Sequence, residues 1–257
     1  MAKLRAVSLD MGWTLAYPVE SIWSIFARLC TGAGVATAPE DCERLVRSLW
    51  SSGQEHAHEQ FRSGAAYHDS DSEFVGLFAQ MGLLIFGQAG LAERAPELSQ
   101  RFLAEFWNEQ NWSVFPEVPA ALKSLRAHGL RVGVLSNAPS DLPKMLDRLG
   151  LLPHLDFAVV SAVEGVKKPD RRIFERTLER AGVAAEEALH VGDLFLEDIL
   201  GAGAVGIEAL LIERGARSLF PNFPESAGRS VPADKVVRDL AAVVEVAERL
   251  SEHKPRA

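Results

Sequence analysis

Apolar positions along the chain follow two alternating patterns. Short apolar-rich runs at Leu4–Leu9, Leu130–Leu135, Phe157–Val160, Ala188–Val191 and Ala209–Ile212 predict strands. Between them lie stripes with helical spacing. Val118, Ala121, Leu122 and Leu125 share one face, as do Leu142, Met145, Leu146 and Leu149. Ile173, Phe174 and Leu178 form a third stripe, and Leu196, Ile199 and Leu200 a fourth. Strands alternating with helices predict an α/β fold with a parallel sheet covered on both faces.

Residues 17–115 break this rhythm. They carry helical patterns rich in Trp, Phe, Leu and Ala and no convincing strand. An insertion after the first strand accounts for this, forming a helical cap over the C-terminal edge of the sheet, where open α/β sheets bind ligands. The expected division is a core of residues 1–16 and 116–257 and a cap of residues 17–115. The uncharged stretch Phe74–Leu91 contains Gln80, Gln88 and several glycines, so it predicts a buried pair of helices rather than a membrane span. A second irregular segment, Glu213–Asp234, holds Pro221, Pro224, Gly228 and Pro232 and predicts a surface excursion. A last short strand at Val236–Val237 and a closing helix follow it.

Polar residues of particular kinds collect at four of the predicted strand ends or the turns that follow. Asp10-Met11-Gly12-Trp13-Thr14-Leu15 follows the first strand, and Ser136-Asn137 follows the second. Lys168-Pro169-Asp170 precedes the helix of Ile173 and Phe174, and Gly192-Asp193-Leu194-Phe195-Leu196-Glu197-Asp198 follows the fourth strand. In a parallel sheet these ends share one edge, so residues far apart in sequence converge. Each piece alone is ordinary turn or capping chemistry. All four in order, each tied to a different strand, make coincidence a poor account. The chemistry that fits is phosphoryl transfer through a carboxylate nucleophile, with hard carboxylate oxygens holding Mg²⁺ and a lysine as a point charge.

These four segments resemble the four motifs of the haloacid dehalogenase (HAD) superfamily. The stretches Ser161-Ala-Val-Glu-Gly165-Val-Lys-Lys168-Pro169-Asp170-Arg-Arg-Ile173-Phe174 and His190-Val-Gly192-Asp193-Leu-Phe-Leu-Glu-Asp198-Ile-Leu-Gly201-Ala202 are similar to its dehalogenase-like branch, whose helical C1-type cap is inserted after the first motif. The resemblance implies a Rossmann-like parallel core with an α-helical cap domain. It implies Asp10 and Lys168 as catalytic residues, with Lys167 excluded because Lys168 directly precedes the proline. Ser136, Asn137 and Thr14 become phosphate-binding. Asp10, Gly12 through its carbonyl, Asp193 and Asp198 become the metal set, with Mg²⁺ as cofactor. One position departs from the pattern: phosphatases of this superfamily usually carry a second Asp two residues after the nucleophile as general acid and base, and here Gly12 stands there.

The net charge of −8 argues against nucleic acid or an anionic membrane as partner. The two cysteines, Cys30 and Cys42, fit neither a zinc site nor a disulfide scaffold. Lys3 and Arg5 stand directly against the first strand, which leaves no room for a signal peptide and predicts a cytoplasmic protein. Trp13, Tyr17, Trp23, His56, His58, Arg62 and His68 are candidate cap residues, with apolar packing or a solvated face as the competing account of each.

The leading expectation is therefore a Mg²⁺-dependent phosphatase acting on a small phosphorylated metabolite. Two alternatives remain: a dehalogenase-type hydrolase using the same Asp10 ester on carbon, and a catalytically weak binding protein on the same fold. Oligomeric state and substrate identity leave no trace in the sequence.

Overall fold

A computed structural model describes residues 3–45, 70–215 and 231–252. The cap candidates His56, His58, Arg62 and His68 lie outside these residues, as does 216–230 of the second irregular segment. Six parallel strands, β1 (Ala6–Leu9), β4 (Arg131–Ser136), β5 (Phe157–Val160), β6 (Ala188–Gly192), β7 (Glu208–Ile212) and β8 (Val236–Val237), form one sheet in the order β5-β4-β1-β6-β7-β8. All five strands read from apolar runs are present, each with bounds within two residues of those expected. Every residue of β1 and β6 is buried, as expected of parallel strands covered on both faces.

Side-chain alternation divides the core into two clusters. Val7 and Leu9 of β1, Val132 and Val134 of β4, and Leu189 and Val191 of β6 join Leu122 of α4 (Val118–Ala127), Leu142 of α5 (Leu142–Arg148) and Leu240 of α8 (Leu240–Glu252). Ala6, Leu135 and Ala188 point the other way, onto Ile173 and Phe174 of α7 (Arg171–Ala181), which follows the one-turn helix α6 (Ser161–Glu164). The chain runs from β1 to one side of the sheet, through β4 and β5, and then crosses to β6 on the other. The C-terminal ends of β4, β1 and β6 thus form the topological switch point where such sheets bind ligands.

The segment between β1 and α4 holds helices α1 (Ile22–Gly32), α2 (Asp71–Gln88) and α3 (Ala95–Phe106). Phe26 stacks on Phe102 at 3.9 Å and meets Phe86 edge-on at 5.5 Å. These rings belong to the same apolar cluster as the α4 and α8 face of the sheet.

Two expectations for this segment need correction. The interval is not free of strands: β2 (Ala16–Pro18) pairs antiparallel with β3 (Trp112–Val114), so a short ribbon ties the two chain crossings together where the boundary was expected. Three-residue strands separated by most of the insertion carry no readable periodicity. Pro18 also lacks an amide donor, which confines it to a ribbon of this kind. The stretch expected to be a pair of helices is one helix, α2. Gly82 does not break it but lets it approach α3: a Cβ there would overlap the Ser99 hydroxyl and stand 2.8 Å from Ser99 Cβ.

Gly82 and Gly87 of α2 should therefore respond oppositely to the same change. Around Gly87 no atom of the described residues lies within 4 Å of an added Cβ, so Gly87→Ala gains helix propensity and should stabilise by about 1 kcal/mol. Gly82→Ala should instead destabilise by roughly 1–3 kcal/mol through overpacking. Thermal unfolding of both variants beside wild type checks this, and a rise in Tm for Gly82→Ala would contradict the packing described.

Candidate active site

The first strand delivers Asp10. Its amide donates to the Val191 carbonyl at 2.9 Å, which carries the β1–β6 ladder one residue further and sets Asp10 beside the end of β6. The chain then turns sharply: the amides of Leu15 and Ala16 both donate to the Met11 carbonyl, and that of Trp13 to the Ala16 carbonyl. Trp13 adopts a left-handed φ of 51°, unusual for a bulky residue, and packs edge-on against Trp112 of β3 at 6.0 Å.

From β6 the chain enters a π-helical segment, Phe195–Leu200, which accounts for the fourth apolar stripe. Asp198 closes it reciprocally, its amide donating to the Leu194 carbonyl at 2.8 Å while its Oδ2 accepts from the Leu194 amide at 2.9 Å. The carboxylate thereby folds back over the end of β6. Only glycine fits at 192 beneath it, because a Cβ there would collide with the Asp198 carboxyl group.

Lys168 enters from the turn before α7, next to a cis peptide with Pro169; Asp170 caps that helix by accepting from the Arg172 amide. The Lys168 side chain is 1% exposed. Its Nζ donates to Asp198 Oδ1 at 2.6 Å and lies 3.0 Å from Asp10 Oδ1. One oxygen from each of Asp10, Asp193 and Asp198 falls within 4.8 Å of the others, so the three could hold a metal ion. Asp193 Oδ2 is buried with no hydrogen-bond partner among the described residues.

The charges of this group are strongly coupled. Burial pushes the Asp10 carboxyl up; Lys168 opposes that and Asp198 adds to it. Burial, then Asp10 and Asp198, push Asp193 well above the ordinary carboxylate range. Against its own burial, Asp198 is held low by Lys168 and by His190. Lys168, also against burial, is held firmly protonated by Asp10 and Asp198. Lys168 thus pairs with both Asp198 and Asp10, while Asp193 has no ion-pair partner of its own among the described residues.

Of the remaining predicted residues, Ser136 is buried at the end of β4, the strand beside β1. The Asn137 side chain is engaged with Lys168: its Oδ1 accepts from the Lys168 amide at 2.8 Å, and its Nδ2 donates to the Lys168 carbonyl and to Glu197 Oε2, both at 3.0 Å. Thr14 is fully buried, and its hydroxyl has no partner among the described residues. Its carbonyl accepts from Arg214 Nη2 at 2.5 Å.

Three contributors carried no assigned role in the sequence reading. His190 Nε2 lies 3.0 Å from Asp198 Oδ1, and its Nδ1 lies 2.9 Å from the Ser8 hydroxyl. With Asp198 ionised, the Nε2 proton belongs to histidine. A polar residue inside the apolar run of β6 was the available signal. Glu197, directly before Asp198, was another such residue. Arg214 gave none: it lies just past β7, where its guanidinium stacks 3.8 Å over Phe115 and pairs with Glu117 at 2.5 Å. Among the described residues no helix is long and apolar enough to cross a membrane.

Comparison with known proteins agrees with this architecture. The chain is 32% identical to haloacid dehalogenase-like hydrolase domain-containing protein 3 of Danio rerio over 82% of this chain and 86% of that one. It is 37% identical to a phosphoserine phosphatase of Thermus thermophilus over 54% of this chain and 53% of the relative. A dehalogenase of solved structure superposes with a TM-score of 0.67 at 23% identity, covering 96% of this chain and 98% of that one, a likeness of fold. Residues 34–206 match the haloacid dehalogenase-like hydrolase family, more than half of the chain. The chain belongs to the haloacid dehalogenase-like hydrolases, with their Rossmann-like fold, and is a hydrolase.

Proposed function

We propose that the protein is a Mg²⁺-dependent phosphatase of small phosphorylated metabolites, with Asp10 as its nucleophile. The observation that carries this reading is the buried meeting of Asp10, Lys168, Asp193 and Asp198, in which three carboxylates face one ammonium. A phosphate monoester could not approach such an excess of negative charge unaided. The donors are hard oxygens, and Asp193 Oδ2 is buried without a partner, which fits a small divalent cation. Asp10, Asp193 and the Gly12 carbonyl would hold it, and Asp198 completes the set while anchoring Lys168. When bound, Mg²⁺ supplies the positive charge that lets an anionic substrate approach a carboxylate.

In this reading a carboxylate oxygen of Asp10 attacks phosphorus, an O–P bond forms, and the ester P–O bond to the leaving alcohol breaks. Lys168 keeps Asp10 ionised and oriented for attack. Ser136, Thr14 and backbone amides at the strand ends bind the phosphate oxygens. Water then cleaves the aspartyl-phosphate, releasing inorganic phosphate and restoring the Asp10 carboxylate. Residues 17–115 act as the cap over a core of residues 1–16 and 116–257. Two contacts from the cap reach the loop after β4: Asp71 accepts from the Ser140 amide and hydroxyl at 2.7 Å, and Trp107 Nε1 donates to Asp141 at 2.9 Å.

Purified protein should release phosphate from p-nitrophenyl phosphate in Mg²⁺ and stop in EDTA, and Asp10→Asn should fall to the background rate. Full turnover in EDTA or in Asp10→Asn would sink the mechanism.

Stability should report the metal site separately from turnover. Because the Asp193 carboxyl is raised, the folded protein binds more protons than the unfolded chain between the ordinary carboxylate value and the raised one. Stability in EDTA should therefore fall as pH rises through that window. Asp193→Asn should flatten this slope and also remove the rise in Tm that Mg²⁺ gives wild type. Melting curves over pH with EDTA or Mg²⁺ are the check; an equal Mg²⁺ response in both proteins would mean Asp193 holds no metal.

Gly12 removes the usual general acid, an effect worth about 10²–10⁴ in rate. Aryl phosphates should accordingly turn over much faster than alkyl phosphates. Among the described residues a Cβ at position 12 meets only Trp112, at 3.9 Å, so Gly12→Asp fits and should raise alkyl phosphate turnover selectively. A plot of rate against leaving-group pKa for both proteins tests this, and a flat plot for wild type would refute it.

A further inference from the structure

Lys168 reaches its two carboxylates from a turn, and something must fix the height of that turn. Asn137 does so from the end of β4. Its Oδ1 takes the Lys168 amide proton at 2.8 Å, and its Nδ2 gives one proton to the Lys168 carbonyl at 3.0 Å. A carboxamide holding both the N–H and the C=O of one residue can shift that residue only by moving itself. The second Nδ2 proton goes to Glu197 Oε2 at 3.0 Å, so every proton of the amide is used. One orientation of the amide satisfies all three partners, and flipping it would break all three.

We infer that Glu197 is a positioning residue: by locking the Asn137 amide, it sets where the Lys168 ammonium stands between Asp10 and Asp198. Glu197 comes from the π-helical turn one residue before Asp198, so a single turn supplies the ammonium's anchor and the lock on its backbone. What Glu197 contributes is an acceptor at a fixed reach from the backbone. Gln keeps the reach and an acceptor oxygen while losing the charge; Asp keeps the charge and is one methylene short. The inference rests on the proposed role of Lys168 in hydrolysis, so its test needs a readout that does not depend on turnover.

Glu197→Gln, Glu197→Asp, Asn137→Ala and the double variant Asn137→Ala/Glu197→Asp would be compared with wild type in two measurements. The first is kcat and KM for p-nitrophenyl phosphate in Mg²⁺. The second is the rate of Lys168 acetylation by a water-soluble acylating reagent, followed by mass spectrometry. Glu197→Gln should stay within about threefold of wild type. Glu197→Asp should lose roughly 10- to 100-fold in kcat, the scale of a displacement near 1 Å, with KM little changed. Lys168 should be protected from acetylation in wild type and Glu197→Gln and become several-fold more reactive in Glu197→Asp. In the Asn137→Ala background the further change to Asp should have almost no effect, because Glu197 acts through Asn137.

Equal kcat and equal Lys168 protection in Glu197→Asp and wild type would overturn the inference. So would a Glu197→Gln loss as large as that of Glu197→Asp, which would make charge the operative property. Additive losses in the double variant would mean that Glu197 acts independently of Asn137. If the wild type hydrolyses no phosphate ester, the phosphatase reading fails, while Lys168 labelling across the variants still decides the positioning role. If Asn137→Ala does not fold, the Gln and Asp pair decides it alone.

Discussion

One ammonium group, nearly withdrawn from water, organises this site. An ion of that kind is costly to bury unless neighbouring charges and hydrogen bonds compensate it. Lys168 is compensated by Asp198 at 2.6 Å and Asp10 at 3.0 Å, and each partner brings its own requirements. Asp198 must fold back over the end of β6, which demands glycine at 192 and the reciprocal bonds with Leu194. Its Oδ1 also accepts from His190, whose ring is steadied by Ser8 from the neighbouring strand. The turn bearing Lys168 must be pinned, which Asn137 does. The same balance leaves Asp193 with no ion-pair partner of its own among the described residues, and that surplus suits the site to a cation.

The sheet topology makes this convergence possible. Asp10 and Asp193 follow adjacent strands, so the Leu9–Val191 register sets them side by side before any side chain is chosen. The insertion between β1 and α4 begins and ends beside the same edge, held by the β2–β3 ribbon. Arg214 reinforces this place: its guanidinium holds the Thr14 carbonyl on one crossing, and Phe115 and Glu117 on the other. A side chain from the far half of the chain thus braces both crossings at the base of the insertion. Its own Nε is buried without a partner among the described residues, a cost tolerated for that placement.

Core strands were legible because each is a short apolar run bounded by polar residues, and a fully buried parallel strand has no alternation to confuse. The residues that meet at the strand ends were legible for a related reason: Asp10, Asp193 and Lys168 are charged groups in or beside turns at the end of apolar segments. Less could be read where meaning depends on distance in space. The three-residue strands β2 and β3 gain their identity only from each other. Gly82 reads as a breaker until Ser99 of α3 is seen against it. Asn137 reads as a ligand for phosphate, whereas its side chain is taken up by the backbone of a residue on another turn. Polar partners joined across strands leave no periodic mark.

The buried carboxyl of Asp193 also bears on which reaction the site favours. Displacement at carbon and displacement at phosphorus can both begin with attack by Asp10. They differ in what the electrostatics must accomplish. A haloacid carries one negative charge, on a carboxylate beside the carbon attacked, and Lys168 alone can favour the ionised nucleophile. For that reaction a further carboxyl, raised by burial and by repulsion from Asp10 and Asp198, would be a standing cost with no return. A phosphate monoester brings its charge to the reacting atom itself, and only an added cation makes its approach to Asp10 favourable. The surplus carboxylate that burdens the first chemistry would serve the second by holding a cation. On electrostatic grounds the site is therefore better matched to phosphorus than to carbon.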